Sequence, residues 1–313
     1  MTSLRAIAAS LGVPYVTAYR SLWRLLGIGP RHMRRMDNPD VGIIHGGAVE
    51  TVIKAALALA RRNLAYYTLS PVPLWPWLLV PVKSVDALEK LLESMRRLGA
   101  RPSSVILDVG IMDWFNGRTA EYSDKFWDTL WEAVDRLREL AREYGFEWRI
   151  VLPDVPATVP DNVPLTMRLQ ERLLSEHPEL PWIPVAQASR ETPHTEHLAW
   201  LVETGVVEKY GCVALGSLKL LAGRKKALWR DAVYRSRGLL EEHGLANVRL
   251  HLFGAPLDIV AAEKLPPGSW DSKTWTFPRV PYLWSAKDGS MRIVYFTTFL
   301  ERLVELLVEH GGG

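Results

Sequence analysis

The chain has 313 residues, of which 48% are hydrophobic, and its formal net charge at pH 7 is +3. This length fits one large domain with a small appendage or two ordinary domains, and the mild positive charge permits a polyanionic partner without requiring one. The single cysteine, Cys212, excludes an internal disulfide and a cysteine-rich zinc site. The first residues lack the pattern of a signal peptide, and prolines interrupt the apolar stretch from Tyr66 to Val82. We therefore expect a cytoplasmic protein that does not bind a membrane.

The first predicted unit, residues 1–36, has the pattern of a helix-turn-helix followed by a linker. From Ile7 onward the chain reads Ile-Ala-x-x-Leu-Gly-Val, which resembles DNA-binding regulators whose second helix lies in the major groove. Gly12 is placed to end the first helix, and arginines of the linker are suited to contact phosphates. The predicted nucleic-acid contacts are Tyr15, Thr17, Arg20, Arg34 and Arg35. The alternative is a pair of helices that caps the following domain, with a solvated linker.

Short apolar runs alternate with helical patterns through the rest of the chain. Predicted strands lie at 41–44, at 66–69 or 77–82, and at 105–108, 149–154, 182–187, 212–217 and 249–254, with a last one at 291–295 or near 269–270. Predicted helices lie at 48–62, 84–98, 123–144, 164–177, 194–204, 224–243, 256–264 and 296–309. This alternation predicts an α/β fold whose parallel sheet is covered by helices on both faces.

Several of these runs end in a residue that can take part in chemistry. Asp108, Asp154, Gln187 and Gly216 stand at such ends, and Asp271 follows the last run. Because active sites of parallel α/β folds lie at the carboxyl ends of the strands, this set predicts a site there. Carboxylates gathered at one site repel each other, so one can stay ionised as a nucleophile while another holds a proton. For any single Asp, the alternative is a helix cap or a turn.

In this order, the motifs resemble the tRNA-guanine transglycosylase superfamily. The matching segments are Leu107-Asp108-Val109-Gly110, Val151-Leu152-Pro153-Asp154, Val185-Ala186-Gln187-Ala188, Ala214-Leu215-Gly216-Ser217-Leu218, His251-Leu252-Phe253-Gly254-Ala255-Pro256 and Trp270-Asp271-Ser272. The resemblance spans roughly residues 41–295. It implies a (β/α)8 barrel of the TIM type, which we expect over residues 37–313.

The resemblance also implies a role for each residue of the site. Asp271 would be the nucleophile that attacks C1′ of a guanosine and forms a covalent ribosyl intermediate, and Asp108 would manage protons on the bases. Asp154 would accept hydrogen bonds from the base, and Gln187 and the Gly216 N–H would hold its carbonyl oxygen. The full set of implied base-binding residues is Asp154, Gln187, Gly216, Ser217 and Gly254. No cofactor and no metal are implied.

The chain departs from the usual members of the family in ways that bear on its substrate. It lacks the cysteines of their zinc site, and the segment Ser269-Trp270-Asp271-Ser272-Lys273-Thr274 resembles the divergent branch that inserts 7-deazaguanine bases into DNA. The predicted function is therefore the exchange of guanine for a 7-deazaguanine-type base in nucleic acid, with DNA preferred over tRNA. The predicted partners are this nucleic acid and the free base, and a homodimer is left open.

Three alternatives stay open from the sequence. The chain could be a tRNA-acting transglycosylase, or a non-catalytic DNA-binding protein built on a degenerate barrel. It could also be an unrelated metal-dependent hydrolase, because His194 and His197 stand three residues apart at a predicted helix start and could chelate a metal together with Asp108 and Asp154. The plainer interpretation of this pair is two exposed histidines at the start of a helix.

Overall fold

A computed structural model of the chain describes residues 5, 8–9, 14–16, 46–68, 74–110, 122–223, 225–257, 260, 268–271 and 289–309. The predicted strand at 41–44 and the predicted contacts Thr17, Arg20, Arg34 and Arg35 lie outside these residues. Within the N-terminal unit, Tyr15 is exposed and helical, and the Arg5 guanidinium lies 5.4 Å from the centre of its ring. The helix-turn-helix therefore stays a prediction.

Helices and strands alternate along the described residues. The helices are α1 (Gly46–Arg61), α2 (Val85–Arg97), α3 (Asp124–Tyr144), α4 (Asn162–Glu176), α5 (His194–Glu203), α6 (Val206–Tyr210), α7 (Leu218–Ala222), α8 (Lys226–Glu242) and α9 (Gly289–Glu309), and a 3-10 turn covers Val82–Ser84. The strands are β1 (Leu64–Tyr67), β2 (Trp77–Pro81), β3 (Ser104–Asp108), β4 (Glu147–Val151), β5 (Trp182–Ile183), β6 (Val185–Ala186), β7 (Cys212–Leu215), β8 (Arg249–Leu252) and β9 (Gly268–Asp271). None of the helices in this part of the chain is long and apolar enough to cross a membrane.

The strands form two parallel sheets, which confirms the predicted α/β class. One sheet has the order β2-β3-β4-β5, and the other has the order β1-β9-β8-β7-β6. Only Pro184, which has no N–H to donate, separates β5 from β6. At the other end of each sheet, the N–H of Thr68 donates to the carbonyl of Trp77 at 3.3 Å, so β1 and β2 are also neighbours.

Helix α3 shows why the local sequence predicts these elements well. Ser123 caps its start by accepting from the N–H of Phe126, and Gly145 ends it in the left-handed conformation with φ 70°. Between these caps, apolar residues recur at helical spacing and are buried against the strands: Phe126, Leu130, Val134, Leu137 and Ala141. Capping and periodicity thus define both the ends and the buried face of the helix.

The C-terminal part of the chain corrects one predicted strand. Residues 291–295 belong to α9, and the last described strand is β9, which agrees with the other predicted place near 269–270. The apolar positions Leu300, Leu303 and Leu307 of α9 are buried at helical spacing, and α9 packs on α1, where the Glu301 carboxylate accepts from Thr51 at 3.4 Å. The helix begins at Gly289 and so runs through the β-branched residues that suggested a strand, a run too short to outweigh the helical pattern that follows it. Both 64–67 and 77–81 are strands, where the sequence had left a choice.

Candidate active site

A buried carboxyl–amide pair lies where β4 and β6 end. Asp154 follows β4 by three residues and is 5% exposed, and Gln187 follows β6 directly and is fully buried. The side-chain amide of Gln187 donates to Oδ2 of Asp154 through Nε2. Its other polar atom, Oε1, is buried and has no hydrogen-bond partner among the described residues. The structure therefore brings together two of the predicted base-binding residues and leaves one acceptor unsatisfied beside them.

Gly216, just after β7, makes room for this pair. A Cβ placed on Gly216 would lie 2.5 Å from Nε2 and 2.6 Å from Cδ of Gln187, and 2.8 Å from Cγ1 of Val185. Such distances are far inside van der Waals contact, so only glycine fits below the Gln187 amide. The predicted role of the Gly216 N–H is wrong, because this group donates to the carbonyl of Ala186 at 2.9 Å. The hydrogen bonding between β6 and β7 continues one residue beyond β7, so the Gly216 N–H is not available to a ligand.

Two histidines of α5 form hydrogen bonds with the backbone of Gln187 and Gly216 at the same strand ends. Nε2 of His194 donates to the carbonyl of Gly216 at 2.8 Å, and Nδ1 of His197 accepts from the backbone N–H of Gln187 at 3.0 Å. Nδ1 of His197 must therefore be unprotonated, and burial lowers the pKa of this ring to about 3. Burial also lowers the pKa of His194.

The arrangement of these histidines corrects the sequence interpretation. Both are buried, not exposed, because α5 packs its first turn onto the strand ends. One ring nitrogen of each bonds to a backbone group, and Nε2 of His197 is buried without a hydrogen-bond partner among the described residues. The described residues contain no group of three or more His, Cys, Asp or Glu that is placed to hold a metal ion. The histidine spacing that suggested chelation instead serves to position Gln187 and Gly216.

Asp108, at the end of β3, is the neighbouring carboxylate of the pair. Its Oδ1 accepts from the N–H of Gly110 at 3.1 Å, which fixes the side chain in a tight turn. Burial raises the pKa of Asp154 to about 7; the amide of Gln187 opposes this shift, and the nearby charge of Asp108 adds to it. Tyr122 also contacts this residue, because its hydroxyl donates to the backbone carbonyl of Asp154 at 2.7 Å. Asp154 is thus poised to gain or lose a proton near neutral pH.

Asp271, the last residue of β9, forms a second polar group with the end of β8. Its Oδ1 accepts from the N–H of Gly254 at 2.9 Å and lies 3.6 Å from Nε2 of His251. The other ring nitrogen of His251 is 2.8 Å from the hydroxyl of Ser269, which fixes the orientation of the ring. The side chains of Asp271 and His251 are both largely buried. One carboxylate oxygen of Asp271 is therefore held by the backbone at a strand end.

The segment after β7 connects the two polar groups. The hydroxyl of Ser217 accepts from the N–H of Ala157, in the loop after β4, at 2.9 Å. Two residues later, the stem of Lys219 crosses the Gly254 turn, where a Cβ on Gly254 would lie 2.8 Å from Cδ of Lys219. Gly254 has φ 63°, so glycine is favoured there for its backbone as well. These contacts place the ends of β4, β6, β7, β8 and β9 on one side of the molecule.

The chain matches no protein-family model, no curated protein and no solved structure. The resemblance to transglycosylases therefore stays a prediction that rests on the motifs. Asp108, Asp154, Gln187 and Gly216 form one local group, and Gly254 and Asp271 form the other. Sequence reasoning did not identify His194 and His197 as positioning residues, although their position just after the Gln187 strand end offered a signal.

The raised pKa of Asp154 leads to a pH-dependent effect on stability. The unfolded chain loses this proton near 3.8 and the folded chain near 7, so the stability that the group contributes is present below 3.8 and is lost as the pH rises through 7. Asp154→Asn removes the titration. We expect its free energy of unfolding, relative to wild type, to rise by roughly 4 kcal/mol between pH 4 and pH 8. Urea unfolding of both proteins across this range measures the difference.

The matched control is Asp161→Asn, which changes an exposed carboxylate in the left-handed conformation that asparagine tolerates. It should show no comparable rise. The two buried histidines shift stability in the opposite direction below pH 6.5, but they are present in every variant and cancel in the comparison. A difference between Asp154→Asn and wild type that stays constant with pH would contradict a proton on Asp154 at neutral pH.

Proposed function

We propose that the two sheets close into one (β/α)8 barrel of the TIM type. Two observations support closure: Pro184 alone separates β5 from β6, and the Thr68 N–H joins β1 to β2 through the carbonyl of Trp77. With 182–186 counted as one strand, eight parallel strands follow each other in a closed order. In such a barrel the carboxyl ends of all strands meet at one face, which is where active sites of this fold lie.

We further propose that this barrel is a guanine transglycosylase-like ribosyltransferase that exchanges guanine for a 7-deazaguanine-type base in nucleic acid, with DNA preferred over tRNA. The observation that carries the proposal is the buried Asp154–Gln187 pair, which has Asp108 beside it and lies on the same side of the molecule as Asp271. A guanine edge offers donors at N1 and N2 and an acceptor at O6. Asp154 would accept from those donors, and Nε2 of Gln187, which lies beside Asp154, would donate to O6.

The proposed reaction has two balanced displacements at C1′. A carboxylate oxygen of Asp271 forms a bond to C1′ while the bond from C1′ to N9 breaks, and guanine leaves with the electron pair and takes up a proton. The incoming base then attacks C1′ through its ring nitrogen, gives up its proton and releases Asp271. Asp108 would donate the first proton and accept the second. The N–H of Gly254 fixes Oδ1 of Asp271, so Oδ2 would be the attacking atom.

The experiment that tests this function measures incorporation of labelled guanine into duplex DNA, single-stranded DNA and bulk tRNA by the wild-type protein. We expect incorporation into DNA that exceeds incorporation into tRNA, because guanine exchange is the degenerate form of the proposed reaction. Incorporation into tRNA alone would support the proposed base exchange but show that tRNA, not DNA, is the substrate. A folded protein that binds DNA but incorporates guanine into none of the three would refute the enzyme and favour the non-catalytic DNA-binding alternative.

A further inference from the structure

The segment that connects the two polar groups continues into a basic surface. Residues 218–230 contain lysines and arginines but no Asp or Glu. Four of these cations lie on the described residues of α7, the following turn and the first turns of α8, and all four are exposed: Lys219, Lys225, Lys226 and Arg230. We call this the α7–α8 surface. Its uniform charge complements a polyanion.

On the surface of α2 and α3, several exposed arginines pair with acids. Arg136 pairs with Glu89 at 2.6 Å and with Glu139 at 2.8 Å, and Arg96 pairs with Glu143 at 3.3 Å. Such pairs neutralise each other and give little net field at a distance. The α7–α8 surface differs in composition, because residues 218–230 contain no acid of their own.

The α7–α8 surface also exposes large apolar side chains. Leu220 is 45% exposed and Leu228 is 44% exposed, and both lie among the lysines. Tyr234, which lies beyond this surface and one and a half turns further along α8, is 53% exposed. The opposite side of α8 buries Trp229 and Val233 in the core, so the exposed set is not the packing face of the helix. Cations beside apolar and aromatic groups suit a strand whose phosphates and bases are both accessible.

The position of Lys219 connects this surface to the reaction. Its stem crosses the Gly254 turn, and the N–H of that turn holds the carboxylate of Asp271. The sugar whose C1′ meets Asp271 carries phosphates on its other carbons. A lysine at this turn therefore stands beside the path that the flanking phosphates must take.

We infer that the α7–α8 surface binds the sugar–phosphate backbone of a single-stranded polynucleotide, with Lys219 on a phosphate next to the nucleotide that reacts. This inference rests on the proposed function for the identity of the reacting nucleotide. The polyanion binding itself follows from the charge and exposure of the surface. A base must leave the duplex stack before it can reach a buried site, which favours a strand that is single near Lys219.

The test uses Lys219→Gln together with Lys225→Gln, and the matched control is Lys90→Gln together with Lys125→Gln, two exposed lysines on α2 and α3. Fluorescence anisotropy measures binding of a labelled single-stranded oligonucleotide at several salt concentrations. We expect the first variant to bind roughly tenfold more weakly and to lose about 0.7 from the slope of log K against log salt for each phosphate contact removed. The control should behave like wild type, and Lys219→Arg with Lys225→Arg should restore binding.

Three results would overturn the inference. The first is a salt slope for the glutamine variant that equals the wild-type slope. The second is binding of poly-glutamate that matches the oligonucleotide and depends on the same lysines, which would indicate an acidic protein partner. The third is base exchange by the glutamine variant with unchanged KM and kcat. This result would support the proposed function but show that the α7–α8 surface does not take part in it. Lysine-dependent oligonucleotide binding without any base exchange would support the surface and refute the reaction.

Discussion

Replacing Asp271 by asparagine should lower the rate of base exchange by at least about a thousandfold. The amide retains an oxygen that accepts from the N–H of Gly254, so the turn at Gly254 should keep its contact with β9. It cannot form a stable covalent bond to C1′, because an uncharged amide oxygen is a poor nucleophile. Initial rates of labelled guanine incorporation measure the loss.

A second readout separates loss of the nucleophile from a general loss of binding. Wild-type protein mixed with its polymer substrate in the absence of free base should form a covalent protein–polymer adduct that survives denaturation, and Asp271→Asn should form none. The control is Asp86→Asn, an exposed carboxylate in the first turn of α2, which should keep both the rate and the adduct. Adduct formation by Asp271→Asn would show that another residue attacks C1′.

Replacing Gly216 by alanine should lower the free energy of unfolding by roughly 1 to 3 kcal/mol. The new methyl group would lie 2.5 Å from Nε2 of Gln187 and 2.8 Å from Cγ1 of Val185, and both neighbours belong to buried residues. The Gln187 amide must therefore move away from Asp154 or the strands must separate. Urea unfolding measures the stability, and base exchange should fall as well because the base-binding pair is displaced.

Gly238→Ala is the matched control for this substitution. Gly238 lies inside α8, and a Cβ placed there would meet no atom within 4 Å. Alanine is the better helix former, so this variant should be more stable than wild type by up to about 1 kcal/mol. If Gly216→Ala were as stable as Gly238→Ala, the close packing of Gln187 on Gly216 would be refuted.

Local signals predicted most of the secondary structure and part of the site. The helical spacing of its apolar residues predicted α3 almost to the residue, and the structure adds the caps at Ser123 and Gly145 that define its ends. In the same way, apolar runs ending in Asp108, Asp154 and Gln187 predicted strands with polar residues at their carboxyl ends. The strand at 291–295 was wrong because its few β-branched residues are a weaker signal than the helical pattern that follows them in α9.

Hydrogen-bond partners could not be predicted in the same way. The sequence suggested that the Gly216 N–H was free, but strand pairing with Ala186 uses it. It treated His194 and His197 as surface residues or metal ligands, but packing of α5 on the strand ends buries them against backbone groups. These hydrogen-bond partners depend on which helices and strands are neighbours in the fold, and the order of the strands in the sheets decides which elements are neighbours.

By itself, the sequence determined the alternation of helices with parallel strands and the presence of carboxylates at strand ends, because both follow from periodicity and residue type along the chain. Only the tertiary structure decided that Gln187 donates to Asp154, 33 residues away, and that Gly216 lies beneath the amide. It also decided that the pKa of Asp154 rises to about 7, because burial and the nearness of Asp108 exist only after β3, β4 and β6 have packed together.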